Sequence, residues 1–338
     1  MNSSQTIIST PPDSPTSESG DLMDPQVERR ELTLGAQHHQ QRLDRVLVDL
    51  VAEFSRSYLQ QLIEHGDVWI NGKPIIKASQ RIRMSDRVRV DLRPTPQSQA
   101  FKAESMRLDL VYQDEHLLVI NKPAGLVVHP APGNWSGTLM NGLLGFDPQA
   151  FYLPRAGIVH RLDKDTSGLM VVARTRVVMD ALVKAIAART VKRQYLALAH
   201  GSWLGDTEQT ITQSIGRDPG HRLRMAVVDL AQHAGKVAAT DVCCLDSVQQ
   251  GCLVHCALQT GRTHQIRVHL AWLGHPLVAD TLYGGAMTAG MQRQALHAFK
   301  LSFAHPVTGH PMVFTAETPR DFANAIDHWG LKYNAARF

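Results

Sequence analysis

Arg161, Asp163, Lys164 and Asp165 fall within five consecutive positions, with His160 just before them and Thr166 and Ser167 just after. An apolar run at 157–159 delivers the chain to this cluster and a second at 169–173 carries it away, the pattern of a buried strand, a charged loop and another buried strand. Polar groups held between core strands are costly unless their partners are built in, and loops on a rigid scaffold are where reactive groups gather. The bland alternative is a solvated hairpin tip. Two carboxylates point to glycoside chemistry, one as acid and one as nucleophile or base. Yet residues two apart on an extended segment point the same way with short reach, and the neighbouring cations hold both carboxylates ionised. One working carboxylate and one structural carboxylate is more economical. Asp165, followed by Thr166-Ser167-Gly168, has the signature of a turn former that bonds its own backbone, which leaves Asp163 as the reactive candidate.

A second cluster, 260–270, brings Arg262 and Arg267 to the start of a helix. Thr263 is the expected N-cap and Ile266, Leu270 and Leu273 the buried stripe. Helix N-termini favour anions, so a phosphate site, an arginine paired with a buried carboxylate and a capped helix with exposed charges all stand open. Tyr195, inside an expected strand at 191–199, reads alone as a core tyrosine with a satisfied hydroxyl. No GxxxxGK[ST], no GxGxxG after a strand and no HExxH occurs, which leaves nucleotide hydrolysis, dinucleotide redox and zinc-peptidase chemistry unsupported. The four cysteines, Cys243, Cys244, Cys252 and Cys256, match neither a CxxC pair nor a secreted disulfide framework. Cys252, Val254, Cys256 and Leu258 alternate, so the outer cysteines share the inward face of a strand while His255 faces away, which argues against a metal site.

The elements that position these residues divide in two. A length of 338 residues with 43% hydrophobic content allows about two domains. The net charge of +4 permits an anionic partner without demanding one. Residues 1–36, rich in Ser, Thr, Pro, Asp and Gln, are expected to be a disordered tail. From 37 to 94 a compact unit is expected. Leu43, Val46, Leu47, Leu50 and Val51 form an amphipathic stripe, Ser55 caps a second helix that Gly66 ends, Asn71-Gly72 turns a hairpin, and 87–92 alternates as an edge strand. Residues 95–107 read as a linker, and 108–338 as a second domain whose strands follow one another directly, with one helix from 175 to 189. That order favours an α+β domain with a mixed or antiparallel central sheet. No signal peptide and no apolar run of about 18 residues is evident, so a cytoplasmic protein with no membrane partner is expected.

The segment SRSYLQQLIEHGDVWINGK (55–73), with the helices before it and the basic strand after it, resembles the S4 RNA-binding domain, a small α/β unit of the αL type. INKPAGLVVHPAPGN (120–134), AGIVHRLDKDTSGLMVVART (156–175), VKRQYLALAHG (191–201) and QTGRTHQIRVHLAWLGHPLVAD (259–280) resemble, in order, the motifs of the RluA family of pseudouridine synthases. PRAGIVHRLDKDT (154–166) and IGRDPGHRLRMAV (215–227) are similar to the branch that modifies large-subunit rRNA, though the segment after Tyr283-Gly284-Gly285 is shorter than in that branch.

The resemblance implies an isomerase that turns uridine into pseudouridine without metal or cofactor. It makes Asp163 the catalytic carboxylate, with Arg161 holding the target uridine out of its helix, Tyr195 stacking on the flipped base, and Arg267 paired with Asp163. It also implies RNA contacts by Arg42, Arg45, Arg56, Lys73, Lys122 and Arg262. The implied partner of this expected monomer is 23S rRNA in the large ribosomal subunit or its precursor, with helix 69 as the site. Another 23S site or a tRNA is the alternative target. A non-catalytic S4-containing ribosome-assembly factor is the alternative of another class, and a glycosidase-like hydrolase using Asp163 and Asp165 a third.

Overall fold

The computed structural model describes residues 27–334 apart from 53, 55 and 93–100. The expected tail at 1–26, the Ser55 cap and the first part of the linker lie outside the described residues. The chain divides into units at 1–95 and 96–338.

The first unit contains β1 (Glu28–Leu32), α1 (Leu43–Leu50), α2 (Arg56–Glu64), β2 (Val68–Ile70), β3 (Lys73–Pro74) and β4 (Val88–Leu92). Leu43, Val46, Leu47 and Val51 pack with Leu59, Leu62 and Ile63 over Val68, Val88 and Val90, as the helical spacing predicts. Asn71 and Gly72 both take positive φ, 52° and 77°, the geometry of a tight hairpin turn between β2 and β3. Two expectations are corrected. Residues 28–32 are not tail but a strand, paired antiparallel with β4 from Glu28↔Leu92 to Leu32↔Val88. The strand at 88–92 is therefore internal, in the order β1-β4-β2-β3, and not an edge. The alternating charged sequence Glu28-Arg29-Arg30-Glu31 hid a strand whose partner lies about 60 positions downstream.

The second unit begins with β5 (Leu110–Gln113), β6 (Leu117–Lys122), α3 (Leu139–Phe146), β7 (Ser167–Ala173), α4 (Arg176–Ala187) and β8 (Lys192–His200). There follow β9 (Glu208–Ile211), β10 (Ile215–Arg217), β11 (Met225–Val227), β12 (Gly235–Lys236), β13 (Thr240–Ser247) and β14 (Gly251–Leu258). The unit closes with α5 (Gln265–Trp272), β15 (Leu296–Ala304), β16 (Pro311–Thr315) and α6 (Arg320–His328). The main sheet runs β5-β6-β7-β15-β8-β14-β13-β9, with β16 also on β15, and β10, β11 and β12 form a small separate sheet. All its pairings are antiparallel except β7 with β15, so the sheet is mixed and the unit α+β.

Alternation sorts the core into two layers. Met170, Val172, Tyr195, Ala197, Val254 and Cys256 face Ile266 and Leu270 of α5 and Leu139 and Leu143 of α3. Leu169 and Val171 face Val178 and Leu182 of α4, while Leu196, Leu198 and Phe299 face Phe322 of α6. Cys252 and Cys256 are buried, as their alternation predicts.

The pairing that matters for the site is the shortest one. β15 meets β7 only at His297↔Ser167 and Ala298↔Gly168; from Lys300 onward its partner is β16. Gly168 (φ 114°) passes so close to β15 that a side chain would begin 2.2 Å from the Ala298 carbonyl oxygen. The turn at 163–166 is thus launched from inside the sheet. Its other arm differs from expectation. Residues 154–157 form a 3-10 turn with Arg155 and Ala156 left-handed (φ 54° each), and Ile158 makes a single bridge to Val172 in place of a strand. The second part of the expected linker, 101–107, is docked on its own unit. Glu104 N–H donates to the Asn141 carbonyl at 3.0 Å, and its carboxylate accepts the Gly137 N–H. Among the described residues no helix is long and apolar enough to cross a membrane.

Candidate active site

A cleft of about 1080 Å³ opens on the second unit, lined by residues from the stretches 120–134, 156–175, 191–201 and 259–280. Asp163 stands in it, its side chain 16% exposed, and accepts a hydrogen bond from Arg267 Nη1 at 3.0 Å. Arg267 in turn is gripped by Asp280, Nε to Oδ2 at 2.7 Å and Nη2 to Oδ1 at 2.8 Å, a bidentate pair of the strong kind. The Tyr283 ring lies against the guanidinium, 5.0 Å from its centroid. Burial works against the charge of Arg267, but Asp280 and Asp163 outweigh it and hold the group protonated. The arginine is therefore a fixed positive charge aimed at Asp163. Of the openings left at the helix start, the arginine paired with a buried carboxylate is the one found.

His264 sits beside this pair, its Nε2 3.9 Å from Asp163 Oδ2. Its Nδ1 lies 2.8 Å from the Tyr283 hydroxyl, which accepts the Met225 N–H at 3.1 Å. Burial lowers the His264 pKa, so the ring is neutral near pH 7. The expected N-cap at Thr263 is corrected. The N-cap position of α5 is His264, left-handed at φ 56° and without a side-chain cap, and the Gln265 side chain ties the turn that precedes the helix. Its Oε1 accepts from Arg262 N–H at 2.9 Å and from the Thr260 hydroxyl at 2.7 Å, and its Nε2 donates to the Ala239 carbonyl and to Thr240 Oγ1.

The turn carrying Asp163 is tied from below. Lys122, expected as an RNA contact, is wholly buried. Its Nζ donates to the carbonyls of Pro123, Leu126 and Lys164 at 2.8–2.9 Å. Burial pulls its pKa down to about 7, against the attraction of Asp165 and Asp163. No RNA reaches a group already surrounded by three carbonyls. Asp165 has no hydrogen bond from its side chain to its own backbone; its carbonyl accepts from Arg293 Nη1 at 2.9 Å, and Arg293 is held by Asp321. The turn is closed by the Thr166 N–H on the Asp163 carbonyl at 3.2 Å.

Arg161 is exposed and lines the cleft with Tyr195, Arg155, Arg189, Arg193 and Arg262. Asp163 is the only acidic residue among the lining residues, so the cleft is strongly cationic. The histidines register that field. Burial first, then Arg155 and Arg161, pushes His129 down to about 4; burial and then Arg193 pushes His160 to about 3. Tyr195, nearly buried on β8, has its pKa raised, chiefly by burial. In the first unit Arg42 and Arg56 both bond Asp44, whereas Arg45 and Lys73 are exposed. Sequence reading missed Asp280, Tyr283, His264 and Arg193. Asp280 closed a quoted motif, but nothing in the sequence said which cation it would meet.

The model of RNA pseudouridylate synthases matches residues 116–272, and that of the S4 domain residues 41–88. The ribosomal large subunit pseudouridine synthase D of Neisseria meningitidis is 47% identical over 84% of this chain and 78% of its own. The chain belongs to the RluA family of RNA pseudouridine synthases. An RNA pseudouridine synthase of Bacillus subtilis is 41% identical over 88% of this chain and 97% of its own. Among solved structures, human RNA pseudouridylate synthase domain containing 1 matches 63% of this chain and 84% of its own, with 28% identity and a TM-score of 0.50. The synthase is thus an isomerase with an S4 unit, of α+β fold.

Proposed function

We propose that this synthase isomerises specific uridines of 23S ribosomal RNA, in helix 69, and acts in the cytoplasm as a monomer on the large subunit or its precursor. The observation that carries the chemistry is the Asp163–Arg267–Asp280 chain in a cleft otherwise lined with arginine. Conversion of uridine breaks the N1–C1′ bond, turns the base, and joins C5 to C1′, with a proton leaving C5 and one taken up at N1. Asp163 acts at the sugar as nucleophile or base; Arg267 holds it oriented. The uridine must leave its stack, at a cost of a few kcal/mol. Arg161, exposed at the rim, fills the gap, and Tyr195 supplies the platform for the flipped ring. Arg45, Lys73 and Arg262, with the exposed parts of Arg42 and Arg56, contact phosphates and position the RNA without reading it. The target rests on the S4 unit and on relatives whose names specify the large ribosomal subunit.

The deciding experiment maps pseudouridines in rRNA and tRNA with and without the gene, then with an Asp163→Asn copy restored. Loss of helix 69 pseudouridines in both the deletion and the variant is expected. Loss at another 23S position or in a tRNA moves the target; an unchanged map removes the proposed substrates altogether.

A further inference from the structure

Arg193 stands two residues before Tyr195 on β8 and shares its face of the strand. Only 8% of it is exposed, yet among the described residues no hydrogen bond or ion pair engages its guanidinium, and its Nε is buried without a partner. Room for the group comes from Gly261, where a side chain would begin 2.7 Å from Nη1. His160, whose ring feels the charge of Arg193, has a second orphan. Its Nε2 accepts the Val171 N–H at 3.1 Å, so the neutral ring carries its proton on Nδ1, and Nδ1 is buried without a partner. Both residues line the cleft.

An enclosed cation without a counter-ion is unfavourable in the free protein. The one acidic side chain in the cleft, Asp163, is already bonded to Arg267. Of the Arg193 nitrogens only Nε is buried without a partner, so the Nη groups face the cleft, where a ligand bearing negative charge would neutralise them and a neutral uracil carbonyl would not. We propose that Arg193 binds a phosphodiester group of the RNA next to the everted nucleotide. Its side chain leaves the strand about 7 Å from that of Tyr195, so one strand would hold both the base and its backbone, with the orphaned His160 N–H marking the same corner.

The inference rests on the RNA-synthase reading of the cleft but not on the helix 69 target. The probe is a stem-loop RNA copied from whichever site the wild-type enzyme is found to convert, so failure of the 23S assignment changes the probe and not the test. Arg193→Gln is expected to bind this RNA roughly 10- to 100-fold more weakly and to lower the salt slope of log Kd by about one, with Arg193→Lys in between. One neutral methylphosphonate beside the target uridine should weaken wild-type binding by a similar factor and leave Arg193→Gln unaffected. The Tm of Arg193→Gln should equal or exceed that of the wild type, because an unpaired buried charge has been removed. Unimpaired binding by Arg193→Gln overturns the assignment. So does equal sensitivity of both proteins to every methylphosphonate, or a loss reproduced instead by 2-thio or 4-thio substitution of the target base. A lowered Tm with no recovery in Arg193→Lys marks a structural role and also overturns it.

Discussion

Asp44 and Asp163 are both carboxylates held by arginine, one in each unit, and they are built to opposite ends. Asp44 is fully buried and saturated, with Arg42 Nε at 3.0 Å and Nη2 at 3.2 Å, Arg56 Nη2 at 2.9 Å and Gln60 Nε2 at 3.1 Å. Asp163 keeps 16% exposure and accepts one side-chain hydrogen bond, from an arginine gripped more fully by Asp280. A buried carboxylate that accepts four hydrogen bonds orders its neighbours and can do little else. One that is oriented from a single side keeps lone pairs free for a substrate. The same contrast bears on the arginines, since Arg42 and Arg56 spend donors on Asp44 while Arg161 has no acidic partner among the described residues.

The contrast breaks first at the carboxylates themselves. Asp163→Asn should cut single-turnover pseudouridine formation more than about 10³-fold with thermal stability and RNA binding kept. Asp44→Asn should do the reverse, losing about 1–3 kcal/mol of stability while the isomerisation step is nearly unchanged. Equal loss of turnover in the two would erase the distinction. Asp280→Asn tests whether orientation is imposed through the arginine. We expect kcat to fall roughly 10- to 100-fold with KM little altered, and a change confined to KM would show that Asp280 serves binding. The smallest effect is in pH. Arg42 first, then Arg56 and Gln60, hold the Asp44 carboxyl well below its ordinary value of 3.8. Between its folded and unfolded pKa values the unfolded chain binds the extra proton, so the stability this group adds is present above 3.8 and is lost as pH falls below it. Denaturant titrations of the full chain between pH 5 and about 2 should therefore steepen in the wild type relative to Asp44→Asn.

Regular elements were legible because alternation and helical spacing are local: the hairpin at Asn71-Gly72, α4 behind its Thr175 cap, and the buried Cys252–Val254–Cys256 face followed directly. Local spacing left Asp163 and Asp165 hard to rank, since the self-bonded turn expected at Asp165 is not formed, and the family motifs supplied both the choice of Asp163 and its pairing with Arg267. What stayed hidden was decided by distant partners. β1 depends on β4; Lys122 lost its expected role because three carbonyls from two loops converge on it; Arg267 is anchored by a residue 13 positions on, beyond the end of α5. His264 shows a subtler failure. Thr263 has the right chemistry for a cap, but His264 turns left-handed and takes the N-cap position, which leaves Thr263 outside the helix.

The two ties beneath the Asp163 turn are local to its own unit. Lys122 holds the carbonyl of residue 164 and Arg293 that of 165, while Gly168 locks the exit onto β15. Every one of these restraints, like Arg267 and Asp280, comes from the unit spanning 96–338. Ties so local let the Asp163 turn keep its shape whatever segment is joined ahead of this unit.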